Sequence, residues 1–267
     1  MRSADIDAPR CVIRSVGIAA PGLAGWTASA PILAGVAPYV AAAETPYAPA
    51  LLPPNERRRA TTSVRLAFRA AEDAVTQVNA DARALASVFS SSDADMAVLH
   101  RICDALSKTP RIISPTDFHN SVHNAASGYW SIGVGSTAPT TTVCAYDASF
   151  TAGLIEAVGL VHSRASDVLL VVYDATAPQP LGAKRPLAMN AGVAMLLGRA
   201  DAGAGSFAID LDGAAETPCG NTSLEPLRLG NPALRALPLL ELVAAKRTGE
   251  ITLRGTGSLH VSVRYSP

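Results

Sequence analysis

Residues 114–157 contain the feature that most constrains the fold, which is a short strand that turns sharply into a helix. Residues 140–145 are rich in β-branched side chains and predict a strand. The pattern of residues 149–164 predicts a helix. Tyr146 and Asp147 therefore fall at the strand-to-helix junction, where many acyl-transfer enzymes carry a nucleophile. The sequence Tyr-Asp-Ala-Ser offers no obvious nucleophile at the tip of this junction.

Apolar strands alternate with helices through the centre of the chain. Residues 167–173 form an apolar run that is typical of a strand buried on both faces. This order predicts an α/β domain in which helices cover a mixed sheet. Other strands are predicted at residues 11–20, 84–90, 190–198, 206–211, 251–254 and 259–265. Other helices are predicted at residues 56–78, 94–107 with a turn and N-cap at 91–93, 116–132 and 232–246.

The composition limits the classes of partner. Apolar residues make up 49% of the chain and supply a sizeable core, while 22 basic and 22 acidic residues give no net charge. No basic stripe is available to neutralise phosphates, so nucleic-acid binding is not expected. Arg57, Arg58 and Arg59 form a basic run that has two interpretations. The first is a solvated start of a helix, which is favoured, and the second is a docking site for an acidic carrier protein.

Cysteine spacing and the absence of common motifs argue against several other classes of protein. Cys11, Cys103, Cys144 and Cys219 lack metal-ligand or redox spacing, so we expect reduced thiols in a cytoplasmic protein. The N-terminal segment lacks the apolar stretch of a signal peptide, and no apolar run is long enough to span a membrane. Nucleotide-binding glycine motifs and the Gly-x-Ser-x-Gly hydrolase motif are absent, and no cofactor is expected.

The central segments resemble a known family. SVHNAASGYWSIGVGSTAPTTTV, the junction after it and the strand DVLLVVYDA resemble the N-terminal half of β-ketoacyl synthases. The resemblance is closer to the ketosynthase-like, or chain-length-factor-like, proteins of type II polyketide and aryl-polyene pathways. It implies a single thiolase-like domain over residues 1–267, with the best-matching core at 11–199. Residues 200–267 would be a C-terminal extension or a degenerate second half.

The same resemblance implies that the site has lost its chemistry. Ketosynthases carry Thr-Ala-Cys at the junction, and the cysteine thiolate attacks the acyl thioester. Aligning Cys144-Ala145-Tyr146 with that motif places Tyr146 at the nucleophile position, where a phenol is a poor nucleophile by comparison. The catalytic histidines of the family's C-terminal half also lack a counterpart, since only His260 follows residue 200 and its sequence context differs.

The resemblance therefore implies a non-catalytic subunit that pairs with a catalytic ketosynthase. The pair would form through strand 140–145 and helix 116–132, and the partner would condense acyl and malonyl thioesters held on an acyl carrier protein. This subunit would shape the acyl tunnel. The predicted tunnel residues are Tyr146, Phe150, Phe118 and Trp130, and the predicted interface residues are His119, His123, Asn124, Thr141 and Val143.

Two other functions remain open from the sequence. A stand-alone acyltransferase could use Cys144, which shares a strand face with Tyr146, or Ser149 at the helix start. A homodimer could instead bind an acyl chain or a carrier protein without catalysis. Asp147 and Ser149 are predicted to cap the helix. His119 and His123 have a spacing that can bind a metal, but no third ligand is evident, so no metal site is predicted.

Overall fold

The centre of the molecule is one mixed β-sheet. A computed structural model describes residues 10–164, 166–200 and 206–267. The strands are β1 (Arg10–Ala20), β2 (Leu23–Ala24), β3 (Ala86–Ser90), β4 (Thr140–Val143), β5 (Val168–Asp174), β6 (Ala191–Arg199), β7 (Ser206–Asp210), β8 (Gly249–Arg254) and β9 (His260–Ser266). Their order is β4-β3-β5-β6-β1-β7-β9-β8, and β2 pairs with the end of β1. β3 lies parallel to β4 and β5, and the other described pairings are antiparallel.

Helices cover both faces of the sheet, as the sequence predicts. They are α1 (Trp26–Leu33), α2 (Pro54–Arg59), α3 (Thr62–Gln77), α4 (Met96–Leu106), α5 (Pro115–Asn120), α6 (Ala125–Val134), α7 (Ser149–Arg164), α8 (Leu181–Lys184), α9 (Glu225–Gly230) and α10 (Leu237–Ala244). α3 and α6 contribute to the core on one face, while α7 and α10 contribute to the core on the other. Within the described ranges, no helix combines the length and the apolar character needed to cross a bilayer.

Side chains of β5 alternate between the two cores because successive residues of a strand point to opposite faces. Leu170 is fully buried in the core that contains Phe150 of α7. Leu169 is fully buried in the core that contains Trp130 of α6. Residues 168–173 of this strand are apolar because both of its faces are covered, as predicted for a central strand.

Two predicted helices are interrupted, and one predicted cap is wrong. The helix predicted at 56–78 is divided into α2 and α3, and Thr61 Oγ1 accepts a hydrogen bond from Val64 N at the start of α3. The helix predicted at 116–132 is divided into α5 and α6. α4 is capped by Asp95 instead of residues 91–93, because Asp95 Oδ1 accepts a hydrogen bond from Val98 N at 3.0 Å.

Residues 206–267 pack on the same sheet. β7 pairs with the start of β1, so β7, β9 and β8 extend the sheet beyond it. Asn231 Nδ2 donates hydrogen bonds to the backbone oxygens of Asp174 at 3.1 Å and Met189 at 2.8 Å. Thr151 Oγ1 of α7 donates a hydrogen bond to Arg254 O of β8 at 2.7 Å. Residues 1–9, 165 and 201–205 of the predicted domain lie outside the described residues.

Candidate functional site

The predicted strand-to-helix junction is present at the end of β4. Residues 146–148 form a 3₁₀ turn that leads into α7, and Tyr146 has a φ of 53°. This left-handed conformation is uncommon for a residue with a bulky side chain. Ser149 Oγ stabilises the turn because it accepts from Ala145 N at 3.1 Å and donates to Tyr146 O at 2.7 Å.

A buried arginine lies directly beneath the junction. Arg185 follows α8 and is only 8% exposed. Its Cζ lies 3.7 Å from the centre of the Tyr146 ring, which is a cation–π contact. Its Nη1 donates to Asp147 Oδ1 at 2.7 Å, and its Nε contacts Asp93 Oδ2 at 3.1 Å. Burial lowers the pKa of Arg185, but the hydrogen bonds and charges of the two carboxylates outweigh burial and hold that pKa above its usual value.

A second buried charged group, Asp174, lies at the end of β5. Asp174 Oδ1 accepts hydrogen bonds from Ser92 N and Ser92 Oγ, both at 2.7 Å, and from Ser91 Oγ at 3.1 Å. Burial raises the pKa of Asp174 to about 7, although these hydrogen bonds oppose the rise. Its Oδ2 is buried and has no hydrogen-bond partner among the described residues. The carboxyl group is therefore partly protonated at neutral pH.

The structure gives the two expected capping residues other partners, which corrects the sequence prediction. Asp147 pairs with Arg185 through its carboxylate. The Ser149 hydroxyl binds Ala145 and Tyr146, which both precede α7. The two side chains therefore stabilise the junction itself, and they do so by an ion pair and by a turn contact instead of by capping the first N–H groups of the helix.

The two alternative nucleophiles are bound to backbone groups. Cys144 is exposed, and its Sγ donates a hydrogen bond to Ser92 O at 2.9 Å. Ser149 is fully buried, and its hydroxyl donates to Tyr146 O. A backbone carbonyl oxygen does not act as the general base that activates a thiol or hydroxyl. Among the described hydrogen bonds, neither side chain is paired with a histidine or a carboxylate.

The four predicted tunnel residues are not brought together. Phe150 of α7 is fully buried on one face of the sheet. Trp130 of α6 is buried on the opposite face, where its ring lies edge-to-face against Phe68 at 5.2 Å. Phe118 of α5 is 69% exposed, and Tyr146 at the junction is 56% exposed. The sheet separates Phe150 from Trp130, so these two side chains serve different cores and do not face one tunnel.

Two of the predicted interface residues lie at one edge of the sheet. Thr141 and Val143 belong to β4, which is the end strand of the described sheet. α6 flanks β4, and Ser127 Oγ lies 3.3 Å from Thr142 Oγ1. The other three predicted interface residues precede α6 in sequence: His119 is in α5, His123 is in the loop that follows, and Asn124 is the residue before α6.

The two histidines of this region have separate surroundings. The His119 ring packs edge-to-face on Tyr129 at 5.9 Å. Burial lowers the pKa of the His123 imidazole, and its Nε2 has no partner among the described residues. In the part of the chain that the structure describes, no group of three or more His, Cys, Asp or Glu side chains is arranged to hold a metal ion.

Sequence reasoning missed the buried polar residues that organise the junction. Asp174 had a usable signal, because a carboxylate directly follows an otherwise apolar strand. Arg185 and Asn231 lie in irregular segments with no periodic pattern. Their partners are distant in sequence, so only the three-dimensional fold identifies them.

A known protein family covers most of this chain. The profile described as "Beta-ketoacyl synthase, N-terminal domain" matches residues 34–228. The chain belongs to this family. The fold of this ketosynthase-like chain is thiolase-like. A search of curated proteins finds no match.

Solved ketosynthase structures share the fold over nearly the whole chain. One is the ketosynthase (ApeO) in complex with its chain length factor (ApeC) from Xenorhabdus doucetiae, with a TM-score of 0.71, 21% identity and coverage of 96% of this chain and 99% of that chain. Another is the ishigamide ketosynthase/chain length factor, with a TM-score of 0.66, 14% identity and coverage of 96% and 98%. A third is AntDE:AntF, a type II acyl-carrier protein in complex with its ketosynthase, with a TM-score of 0.68, 13% identity and coverage of 97% and 99%.

The buried Asp174 carboxyl predicts a specific dependence of stability on pH. Its pKa of about 7 in the folded chain exceeds that of an exposed aspartate, so its contribution to stability is complete below about pH 4 and is lost as the pH rises to 7. The loss amounts to about 4 kcal/mol. Asp174→Asn cannot ionise, so its free energy of unfolding relative to the wild type should increase between pH 5 and 7.5.

Urea unfolding at a series of pH values measures this difference. Asp81→Asn is the matched control, because Asp81 lies on the surface and should leave the slope unchanged. Parallel pH profiles for Asp174→Asn and the wild type would show that the Asp174 carboxyl ionises as an exposed group does.

Proposed function

We propose that this chain is a non-catalytic, chain-length-factor-like subunit that pairs with a catalytic β-ketoacyl synthase. The junction carries the proposal: Tyr146 stands at the strand-to-helix turn with its ring on the Arg185 guanidinium. Cys144 and Ser149 are hydrogen-bonded to backbone groups and have no described acid–base partner. This arrangement favours an architectural role over a stand-alone acyltransferase.

The proposed pairing surface is the outer edge of β4. On the inner side, Ser87 N donates to Pro139 O at 3.0 Å and Ser91 N donates to Val143 O at 3.2 Å. Backbone groups of a strand alternate in direction, so Thr140 and Thr142 direct their N–H and C=O groups away from β3. An unpaired edge of this kind is suited to pairing with a strand of another subunit.

In the proposed complex, the partner supplies the chemistry and this subunit limits the space for the acyl chain. The partner's cysteine holds the growing chain as a thioester. Loss of CO₂ from the malonyl thioester generates a carbanion. The carbanion attacks the carbonyl carbon of the acyl thioester, and the cysteine leaves as its thiolate. Tyr146 is the predicted tunnel residue that is both at the junction and exposed, so it is the side chain best placed to restrict the chain length. Phe118 is a second exposed candidate, on α5.

A basic groove beside α2 and α3 supports a second part of the proposal, the docking of an acyl carrier protein. The groove has a volume of about 510 Å³ and is lined by four arginines and two aspartates, which are Arg58, Arg59, Arg65, Arg101, Asp95 and Asp117. An adjoining cavity of about 260 Å³ shares Thr62 and Arg65 with it and adds Arg69.

The arginines of this groove differ in how their charge is balanced. Arg101 pairs with Asp117 at 2.7 Å, and Arg59 pairs with Glu56 at 3.4 Å. Arg58 instead binds the Asn55 side-chain oxygen, and Arg65 binds Ala60 O, so their described partners are neutral. Their uncompensated charge favours an acidic protein surface, in a chain whose formal net charge is zero.

We also propose that residues 200–267 complete the same domain, since the described part of this segment extends the sheet through β7, β8 and β9. A second copy of this chain could pair at the same β4 edge. The homodimeric scaffold is therefore the alternative that the first experiment must separate from the heterodimer.

Blocking the β4 edge should abolish the heterodimer. Proline at position 142 removes an N–H that points away from β3, so Thr142→Pro should leave the β3–β4 pairing intact. The wild-type chain, co-expressed with its catalytic ketosynthase partner, should elute as a 1:1 complex with condensing activity, and each candidate ketosynthase is tested in turn. Thr142→Pro should elute as a folded chain without the partner.

Thr142→Val is the matched control, because it keeps the backbone N–H and should retain the complex. Size-exclusion chromatography with light scattering measures assembly, and circular dichroism checks folding. A wild-type chain that remains a homodimer beside every candidate partner would contradict the heterodimer proposal.

Shortening Tyr146 should lengthen the products of the complex. Tyr146→Ala removes an exposed ring at the junction, whereas Tyr146→Phe keeps the ring and should preserve the product length. Mass spectrometry of the released products measures the difference. Phe150→Ala is unsuitable as a test, because truncating a fully buried aromatic residue costs about 3–5 kcal/mol of stability. Unchanged products from a folded Tyr146→Ala complex would locate the end of the tunnel elsewhere.

Reversing charge in the groove should weaken carrier-protein binding. Arg58→Glu and Arg65→Glu should each raise the Kd of the acyl carrier protein by about fivefold to tenfold at low salt, because each exchanges an attraction for a repulsion. Arg247→Glu, an exposed arginine outside the groove, should leave the Kd unchanged. Titration calorimetry on the complex measures the Kd. Equal effects from all three variants would show that the groove is not the docking site.

A further inference from the structure

A small cavity lies between the start of α4 and the loop that precedes α6. Its walls include Asp95, Asn120, His123, Tyr173, Val64 and Val122. The volume open to the centre of a water-sized sphere is about 10 Å³. This volume is close to the minimum that one water molecule requires, on the order of 10–15 Å³. Size therefore limits the occupant to a single small molecule or ion.

Two buried polar atoms of the cavity wall lack partners. Asp95 Oδ2 and His123 Nε2 are both buried without a hydrogen bond among the described residues. Asp95 uses its other oxygen, Oδ1, to accept from Val98 N at 3.0 Å. Buried polar groups are nearly always hydrogen-bonded, so two such atoms on residues that line one cavity point to a polar ligand that they share.

A third polar side chain of the cavity is already engaged. Asn120 Nδ2 donates to Arg59 O at 3.0 Å, and Asn120 Oδ1 accepts from Tyr129 OH at 3.0 Å. The Asn120 amide therefore forms part of the wall, while the Asp95 carboxylate and the His123 imidazole both remain available to bind an occupant.

We propose that this cavity binds one ordered water molecule, which donates a hydrogen bond to Asp95 Oδ2 and forms a second with His123 Nε2. The water joins the start of α4 to the loop that carries His123. A cation is a poorer occupant, because Asp95 is the one carboxylate among the lining residues and alkaline-earth ions require at least six oxygen ligands. The cavity shares Thr61, Asp95 and Asn120 with the proposed docking groove, but the proposal does not depend on a partner subunit or on the function proposed above.

A crystal structure of the full chain, grown with rubidium in place of other alkali cations, tests the identity of the occupant. We expect a density peak within hydrogen-bond distance of Asp95 Oδ2 and His123 Nε2 that carries no anomalous signal at the rubidium edge. A rubidium signal at the peak would overturn the proposal in favour of a cation site. An empty cavity, or a direct hydrogen bond between His123 and Asp95, would also overturn it.

A double-mutant cycle tests whether the water couples the two residues. Asp95→Ser keeps an oxygen that can cap α4 and removes Oδ2, while His123→Phe keeps a ring and removes Nε2. Each variant changes the unfolding equilibrium constant by some factor. The factor for the double variant should be smaller than the product of the two single-variant factors, by at least about threefold. Asp95→Ser combined with Val122→Ala is the control, because Val122 lines the cavity with an apolar side chain. The factor for this double variant should equal the product of its two single-variant factors. Simple multiplication for Asp95→Ser and His123→Phe would overturn the coupling through a shared water.

Discussion

The strand ends of this fold are held together by one buried guanidinium. Arg185 binds Asp93 in the loop after β3 and Asp147 in the turn after β4, and its face supports the Tyr146 ring. An unpaired charge at this depth would be strongly destabilising. The arginine is therefore buried only in contact with its two carboxylate partners. Asp174 adds a second attachment to the same loop through Ser91 and Ser92. The loops after β3, β4 and β5 therefore take their positions as one unit.

The shape of the junction does not depend on which side chain stands at position 146. The left-handed conformation of Tyr146 is stabilised by the Ser149 hydroxyl, which contacts backbone groups and makes no use of the side chain at position 146. The identity of that side chain can then change while the turn persists. In this chain the position carries an aromatic ring, whose flat face matches the guanidinium below it.

Local patterns in the sequence predicted the elements well and the contacts between them poorly. The helix at 149–164 and the strand at 167–173 follow from periodicity and apolar character, and the resemblance to ketosynthases correctly gave the thiolase-like fold. The assignment of Phe150 and Trp130 to one tunnel failed because α7 and α6 cover opposite faces of the sheet, which depends on topology. Arg185 is separated from Asp93 by 92 residues and from Asp147 by 38, so no local pattern signals either pair. The roles proposed for the interface residues remain predictions.

The position of β4 links the proposed partner surface to the junction. β4 is the end strand of the described sheet, and the chain passes from it directly into the turn that carries Tyr146. A strand paired with the outward groups of Thr140 and Thr142 would therefore lie beside Tyr146 and would fix its position relative to the partner's site. Such an edge is short and rich in threonine, which limits unspecific strand pairing. Under the proposed function, a non-catalytic subunit would have a physical reason to retain the junction, because the strand that would meet the partner and the ring that would bound its tunnel are consecutive in the chain.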